Sequence, residues 1–197
     1  MLKKIILLLI CVSTGIAAKA QAIDSVYDKY LDFNLARFQG ESDKLLQLGE
    51  AVLPNAEKLP EKTKINFYFS LGKVYEDSNM PDKALIYYEK VAAAVPDYYV
   101  AHRGLGYIYL EKSKQLKNQL YNLTDPSLKQ KLTDEYTVAA RKALPHLEKA
   151  QACDPSDETL DEIKSLYINL KDAEGLNTLN ARLKELSKHC IDILEDK

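Results

Sequence analysis

The sequence predicts an all-α fold, and three of its features support this. Apolar residues recur at spacings of three and four along most of the 197-residue chain, which is the spacing of one face of an α-helix. Glycine and proline are sparse, with seven of each, and no alternation of apolar and polar residues is long enough for a strand. With 46% hydrophobic and 28% charged residues, the chain has the composition of a globular protein.

Residues 1–22 have the pattern of a cleaved signal peptide. Lys3 and Lys4 precede an apolar run over 5–12, and small residues then lead to a cleavage site near residues 20–22. The run is too short for a membrane span, which needs roughly 18 apolar residues. We therefore expect a periplasmic or secreted protein without stable membrane insertion. An uncleaved anchor is the alternative, and lipidation at Cys11 is disfavoured because Ile10 takes the place of the small residue such sites need.

The net charge of the chain limits the kinds of partner that we expect. Without residues 1–22 the chain loses three lysines and no acidic residue, which leaves 24 Lys and Arg against 29 Asp and Glu, a net charge of −5. Nucleic acids and anionic lipids require clustered positive charge. We therefore expect neither of them as a partner.

Residues 23–62 predict a helix pair divided at Gly40, with Pro54 and Pro60 each in the first turn of a new helix. The apolar face of the first helix includes Leu35 and Phe38. This pair is either a cap or a degenerate copy of the repeat that follows it.

Two copies of one pattern follow, over 63–96 and 97–155, with Leu105 placed 34 residues after Leu71. The second copy has His102 where the first has an aromatic residue. The positions that define the two copies are Tyr68, Leu71, Gly72, Tyr75, Ala84, Tyr88 and Pro96, then Leu105, Gly106, Tyr109, Ala143, Leu147, Ala150 and Pro155.

This pattern resembles the tetratricopeptide repeat (TPR), whose 34 residues read W-x2-L-G-x2-Y, then A-x3-F, then P. The resemblance implies a right-handed solenoid of helical hairpins in which each pair buries its apolar face against its neighbours. Its small and aromatic positions are then structural, because they lie where helices approach each other.

The second copy carries an insertion over about 112–136. Tyr75 and Ala84 are 9 residues apart, whereas Tyr109 and Ala143 are 34 apart. A capping Asp125 before Pro126 predicts that a new helix starts there. The insertion therefore predicts one elongated helix pair, an antiparallel hairpin with Leu116, Leu120, Leu123, Leu128 and Leu132 on its apolar faces.

A third, degenerate copy covers 156–190. Leu166, Leu170, Leu179, Leu183 and Leu186 keep the spacing of the first copy, but the glycine and the alanine are missing. A terminal repeat with one neighbour tolerates that loss.

The TPR resemblance implies a concave groove lined by the first helix of each repeat. We expect the chain to be a non-enzymatic adaptor that binds a segment of another protein there, through Asn66, Phe69, Lys73, Arg103, Tyr107 and Lys164. The carboxylate clamp of some TPR domains is incomplete here, since Phe69 and Arg103 replace part of its Lys and Asn set. The alternatives are a structural or self-assembling subunit that uses the 112–136 hairpin, and an export or folding helper for envelope proteins.

No pattern for catalysis or for a cofactor is evident. The chain has no glycine-rich phosphate loop, no nucleophile elbow and no paired catalytic Cys and His. His102, His146 and His189 are far apart in sequence and have no second ligand at metal-binding spacing, so we expect no metal site. Cys153 and Cys190 each end an apolar stripe, and they are either buried thiols, the favoured interpretation, or a disulfide.

Overall fold

The computed structural model of the protein describes residues 25–121 and 123–194. The predicted signal peptide and Cys11 lie outside these residues. Within them the secondary structure is helical, with a single isolated parallel bridge between Tyr98 and Ile191, so the all-α prediction is confirmed. None of the helices in the described part of the chain is both long and apolar enough to cross a membrane.

Eight α-helices and one 3₁₀ helix make up the described chain. They are α1 over 25–39, α2 Ser42–Val52, the 3₁₀ helix Leu53–Lys58, α3 Glu61–Asp77, α4 Pro81–Ala94, α5 Tyr99–Tyr121, α6 Pro126–Cys153, α7 Asp157–Asn169 and α8 Ala173–Leu186. Gly40 separates α1 from α2 at φ +71°, a backbone conformation that L side chains rarely adopt. Pro54 lies in the first turn of the 3₁₀ helix, whereas Pro60 is the N-cap of α3 instead of a residue of its first turn.

Side-chain caps fix the start of three helices. The Asp125 carboxylate accepts hydrogen bonds from the backbone N–H groups of Ser127 and Leu128, both at 2.9 Å, and Pro126 follows it in the first turn of α6. Ser156 and Asp172 cap α7 and α8 in the same way. The two helices on either side of Asp125, α5 and α6, are 23 and 28 residues long, and α6 continues through Pro145. Leu123, expected in the first helix of the hairpin, lies beyond the end of α5 at Tyr121.

The helices pack mainly against their neighbours in the chain, from α3 on α4 to α7 on α8, and α6 also contacts α8. Pro96 and Pro155 are exposed. The other positions of the two repeat copies are buried, namely Tyr68, Leu71, Gly72, Tyr75, Ala84, Tyr88, Leu105, Gly106, Tyr109, Ala143, Leu147 and Ala150.

Close helix contact explains the small residues. A Cβ on Gly72 of α3 would lie 2.8 Å from the Tyr88 ring, and one on Gly104 of α5 would lie 2.6 Å from the same ring. Tyr88 of α4 is therefore held between α3 and α5. A Cβ on Gly106 would lie 2.9 Å from Leu147 of α6.

Candidate functional site

An open groove of about 940 Å³ lies between α1 and α3. Tyr98 and residues 192–194 form its remaining border. Helix α3 lines the groove with Asn66, Phe69 and Ser70. Helix α1 lines it with Tyr30, Leu31, Asn34, Leu35, Arg37 and Phe38.

The α1 side of the groove carries apolar side chains that the fold leaves in solvent. Leu31, Leu35 and Phe38 are 47%, 54% and 93% exposed. Their spacing of four and three puts them on one helix face. Leu35 and Phe38 lie in the first helix as expected, but they do not belong to its buried stripe, which is formed by Val26, Tyr30, Phe33 and Ala36. The free energy falls when apolar surface is removed from water. A contiguous row of this kind therefore favours contact with another molecule.

One cation lies among these apolar residues. The Arg37 guanidinium donates a hydrogen bond to Asn34 Oδ1 at 3.1 Å and another to the hydroxyl of Ser70 on α3. Arg37 itself is exposed. The guanidinium is thus oriented from two sides while it still has donors available for a carboxylate.

Aromatic rings form the floor of the groove. The Phe69 ring meets Tyr98 edge to face at 5.0 Å, and it lies 5.9 Å from Tyr88. Tyr98 is buried, and burial raises the pKa of its phenol to about 12. The floor is therefore rigid and uncharged at neutral pH.

Residues 189–194 follow α8 and pass along the groove border. The Ile191 N–H donates to the Asp97 carbonyl at 2.8 Å, and the Tyr99 N–H donates to the Ile191 carbonyl at 3.1 Å. Asp192, Ile193 and Leu194 then line the groove. Backbone pairing at Ile191 therefore attaches this part of the chain to residues 97–99.

Two contacts attach that segment to α6. Cys153 at the end of α6 forms a disulfide with Cys190, so the favoured expectation of two buried thiols is wrong; Cys190 is in fact exposed. The Lys149 ammonium, on a residue that is only 5% exposed, pairs with Asp97 at 2.9 Å and donates to the His189 carbonyl. The hydrogen bond from Lys149 holds the pKa of Asp97 below its usual range.

Of the six residues expected to form one binding surface, two line this groove and four do not. Asn66 and Phe69 line the groove. Lys73 pairs with Asp77 at 2.9 Å within α3, Lys164 pairs with Asp161 at 3.6 Å within α7, and Arg103 of α5 pairs with Asp154.

Tyr107 belongs to a set of links between α5 and α7. Its hydroxyl shares a hydrogen bond of 2.8 Å with the Thr159 hydroxyl. Farther along the same two helices, Lys114 pairs with Glu162 at 2.6 Å and Lys117 donates to Asn169 at 3.1 Å. Tyr107, Arg103 and Lys164 therefore do not share the α1–α3 groove.

Two histidines that are far apart in sequence meet in the fold. The Nδ1 atoms of His102 and His146 lie 2.9 Å apart, a distance that requires one ring to donate and the other to accept. Burial lowers the pKa of both rings, that of His146 to about 4, so the pair is neutral at pH 7. No group of three or more His, Cys, Asp or Glu side chains is placed to hold a metal ion in the described part of the chain.

Sequence reasoning missed most of the groove. The sequence did not indicate that Leu31 and Arg37 line a groove. Helical periodicity shows which residues share a helix face, but not which faces lack a neighbouring helix. Residues 192–194 lie in the groove through backbone pairing and a disulfide, neither of which follows from local spacing.

Comparison of the chain with protein-family models, with curated proteins and with solved structures gives no match.

Proposed function

We propose that the chain is a non-enzymatic adaptor that binds an extended segment of another protein in the groove between α1 and α3. The observation that carries this proposal is the row of exposed Leu31, Leu35 and Phe38 beside the oriented guanidinium of Arg37. Apolar side chains of a partner would cover the row, and a partner carboxylate would pair with the guanidinium. The preferred partner segment is therefore apolar with an acidic residue within it.

The proposal includes a TPR-type solenoid as the architecture. It is supported by the 34-residue register of the two copies, by burial at the repeat positions other than Pro96 and Pro155, and by the packing of each helix on the next. In such a solenoid the first helices of successive pairs line the binding surface, and α1 and α3 would take that place.

Export to the periplasm or the cell exterior is part of the same proposal. It is supported by the signal-peptide pattern of residues 1–22 and by the Cys153–Cys190 disulfide, since disulfides persist in oxidising compartments.

Selection from a phage-displayed random peptide library tests the proposal. We expect enriched peptides with two or more apolar residues around an acidic one. Their binding should fall at least about tenfold, roughly 1.4 kcal/mol, in Leu35→Asp and in Arg37→Glu. Ile168→Asp is the matched control, because Ile168 of α7 is 64% exposed and lies outside the groove, and it should bind as wild type does. Selected peptides that bind Leu35→Asp unchanged would place the site elsewhere, and enrichment without any consensus would favour the folding helper.

Self-association through the α5–α6 hairpin is the second candidate. It is favoured by exposed Tyr121 and Leu128 near the hairpin tip. Leu116, by contrast, is buried, and Leu120 and Leu132 are half-buried. Light scattering after gel filtration checks this function: a dimer that dissociates in Tyr121→Glu/Leu128→Glu, and persists in Leu35→Asp, would establish it.

A further inference from the structure

Residues 191–194 resemble the partner segment that the groove suits. They read Ile-Asp-Ile-Leu, an acidic residue among apolar ones. Ile191 pairs through its backbone with Asp97 and Tyr99, and Asp192, Ile193 and Leu194 line the same groove as Leu35 and Arg37. The chain therefore presents to its own groove the chemistry that a partner would present.

The charges agree with this comparison. Burial is the main cause that raises the pKa of Tyr98; the Asp192 carboxylate raises it further and the Arg37 guanidinium lowers it, so both groups lie near the same phenol. No ion pair between Asp192 and Arg37 is formed within the described residues. Ile193 remains 67% exposed, so the segment covers the groove only in part.

We infer that residues 191–194 are a tethered competitor of the partner segment, kept at the border of the groove by the Cys153–Cys190 disulfide. This inference rests on the proposed function of the groove. A tethered segment competes at a high effective concentration. The apparent association constant for an outside segment is then its intrinsic value multiplied by the fraction of molecules whose groove is free. The disulfide makes that fraction depend on the redox state.

A dithiol reductant would open the tether by thiol–disulfide exchange. Its thiolate attacks one sulfur of the disulfide and displaces the other as a thiolate, which takes up a proton. The second thiol of the reductant then displaces the protein sulfur from the mixed disulfide. Two electrons pass from the reductant to the protein, so that Cys153 and Cys190 end as thiols and the reductant ends as a disulfide. Because Cys190 is exposed, the bond is accessible to such a reagent.

A fluorescein-labelled peptide copying residues 188–194, with the change Cys190→Ser, is the probe. Its affinity is measured by fluorescence anisotropy for the oxidised chain, for the chain reduced with dithiothreitol, and for Cys153→Ser/Cys190→Ser. We expect the reduced chain and the double variant to bind it at least about tenfold tighter than the oxidised chain. A probe that also carries Leu194→Asp is the matched control and should bind weakly to all three, because Leu194 is the half-buried apolar residue of the segment.

Ile191→Pro separates release of the segment from loss of the disulfide. Proline removes the N–H that donates to the Asp97 carbonyl and leaves both cysteines in place. With the disulfide closed, this variant should also bind the probe more tightly than wild type, and circular dichroism should show that its helices are intact.

Two results would overturn the inference. Equal affinity for the oxidised and reduced chains, lost in Leu35→Asp, would show that the groove binds peptides while residues 191–194 do not compete. No binding to any form would show that these residues do not resemble a ligand, and the library selection would then decide the proposed function by itself.

Discussion

The α1–α3 edge and the α5–α7 edge of the molecule differ in how their helix faces are satisfied. Between α5 and α7, Tyr107 meets Thr159 and Lys114 meets Glu162, so side chains of the protein itself bridge the two helices. Between α1 and α3, Leu35 and Phe38 remain in solvent beside an open groove. The two edges therefore differ in how much apolar surface they leave in solvent, because the residues facing each helix from its neighbour decide what is covered.

The half of the molecule formed by α5 to α8, called the bridged half below, contains a buried ionic network. Arg182 of α8 donates to both carboxylate oxygens of Glu148, at 2.8 and 2.9 Å, and also to the Tyr167 hydroxyl at 2.7 Å. Glu148 is buried, and the Tyr167 hydroxyl donates to its carboxylate. This network joins α6, α7 and α8 into one unit, whereas α1 and α3 are joined by apolar and aromatic contacts and by the hydrogen bond from Arg37 to Ser70.

The largest loss of stability is expected when this ionic network is broken. Arg182→Ala leaves the Glu148 carboxylate buried without its cation and should lower the free energy of unfolding by about 3 kcal/mol. Urea unfolding measures this change. Arg141→Ala removes an exposed cation from α6 and should change stability by less than about 0.5 kcal/mol. Equal losses in the two variants would show that the network is not what makes the bridged half stable.

A smaller effect is expected at the aromatic contact behind the groove. Gly72→Val places side-chain atoms against the Tyr88 ring and should reduce the free energy of unfolding by about 2 kcal/mol through overpacking. In a Tyr88→Leu background, the same change should be less destabilising, because the ring that it strikes is gone. A double-mutant cycle by urea unfolding measures this coupling. Strictly additive losses would contradict the close contact.

The histidine pair makes stability depend on pH. Because the pKa of His146 is about 4 in the folded chain and 6.5 is its ordinary value, the unfolded chain binds more protons between these limits. The free energy of unfolding should therefore fall as pH falls from about 6.5 toward 4, by about 1 kcal/mol per pH unit. His102, whose pKa is also lowered, adds to this loss, while Glu89 opposes it and Lys142 reinforces it at His146. Urea unfolding at several pH values measures the slope, which should become shallower in His102→Gln/His146→Gln.

The smallest effect tests a single link between α5 and α7. Tyr107→Phe removes the hydroxyl that bonds to Thr159 and should lower the free energy of unfolding by about 1 kcal/mol. Peptide binding at the α1–α3 groove should not change. Binding is measured by fluorescence anisotropy with a library-selected peptide. Weaker binding to Tyr107→Phe would show that Tyr107 belongs to the binding surface and that the two edges do not differ in this respect.

Much of the helical framework was predictable, because its causes are local. Asp125 before Pro126 marked the start of α6, and Gly40 marked the break between α1 and α2. The candidate site was predicted only through Asn66 and Phe69. Arg103 stands on a helix that the pattern located correctly, but its partner Asp154 could not be inferred from local spacing. The pair of Lys164 with Asp161 is an i, i+3 pair within α7, which local spacing does allow.

The sequence by itself determined the helical class, the cap at Asp125 and the spacing of the repeated pattern, since helix formation and capping depend on residues a few positions apart. Tertiary structure decided that Cys153 joins Cys190, that His102 meets His146, and that Leu35 stays in solvent. The physical reason is that periodicity tells which residues share a helix face. Whether a neighbour covers that face depends on how helices distant in the chain pack together.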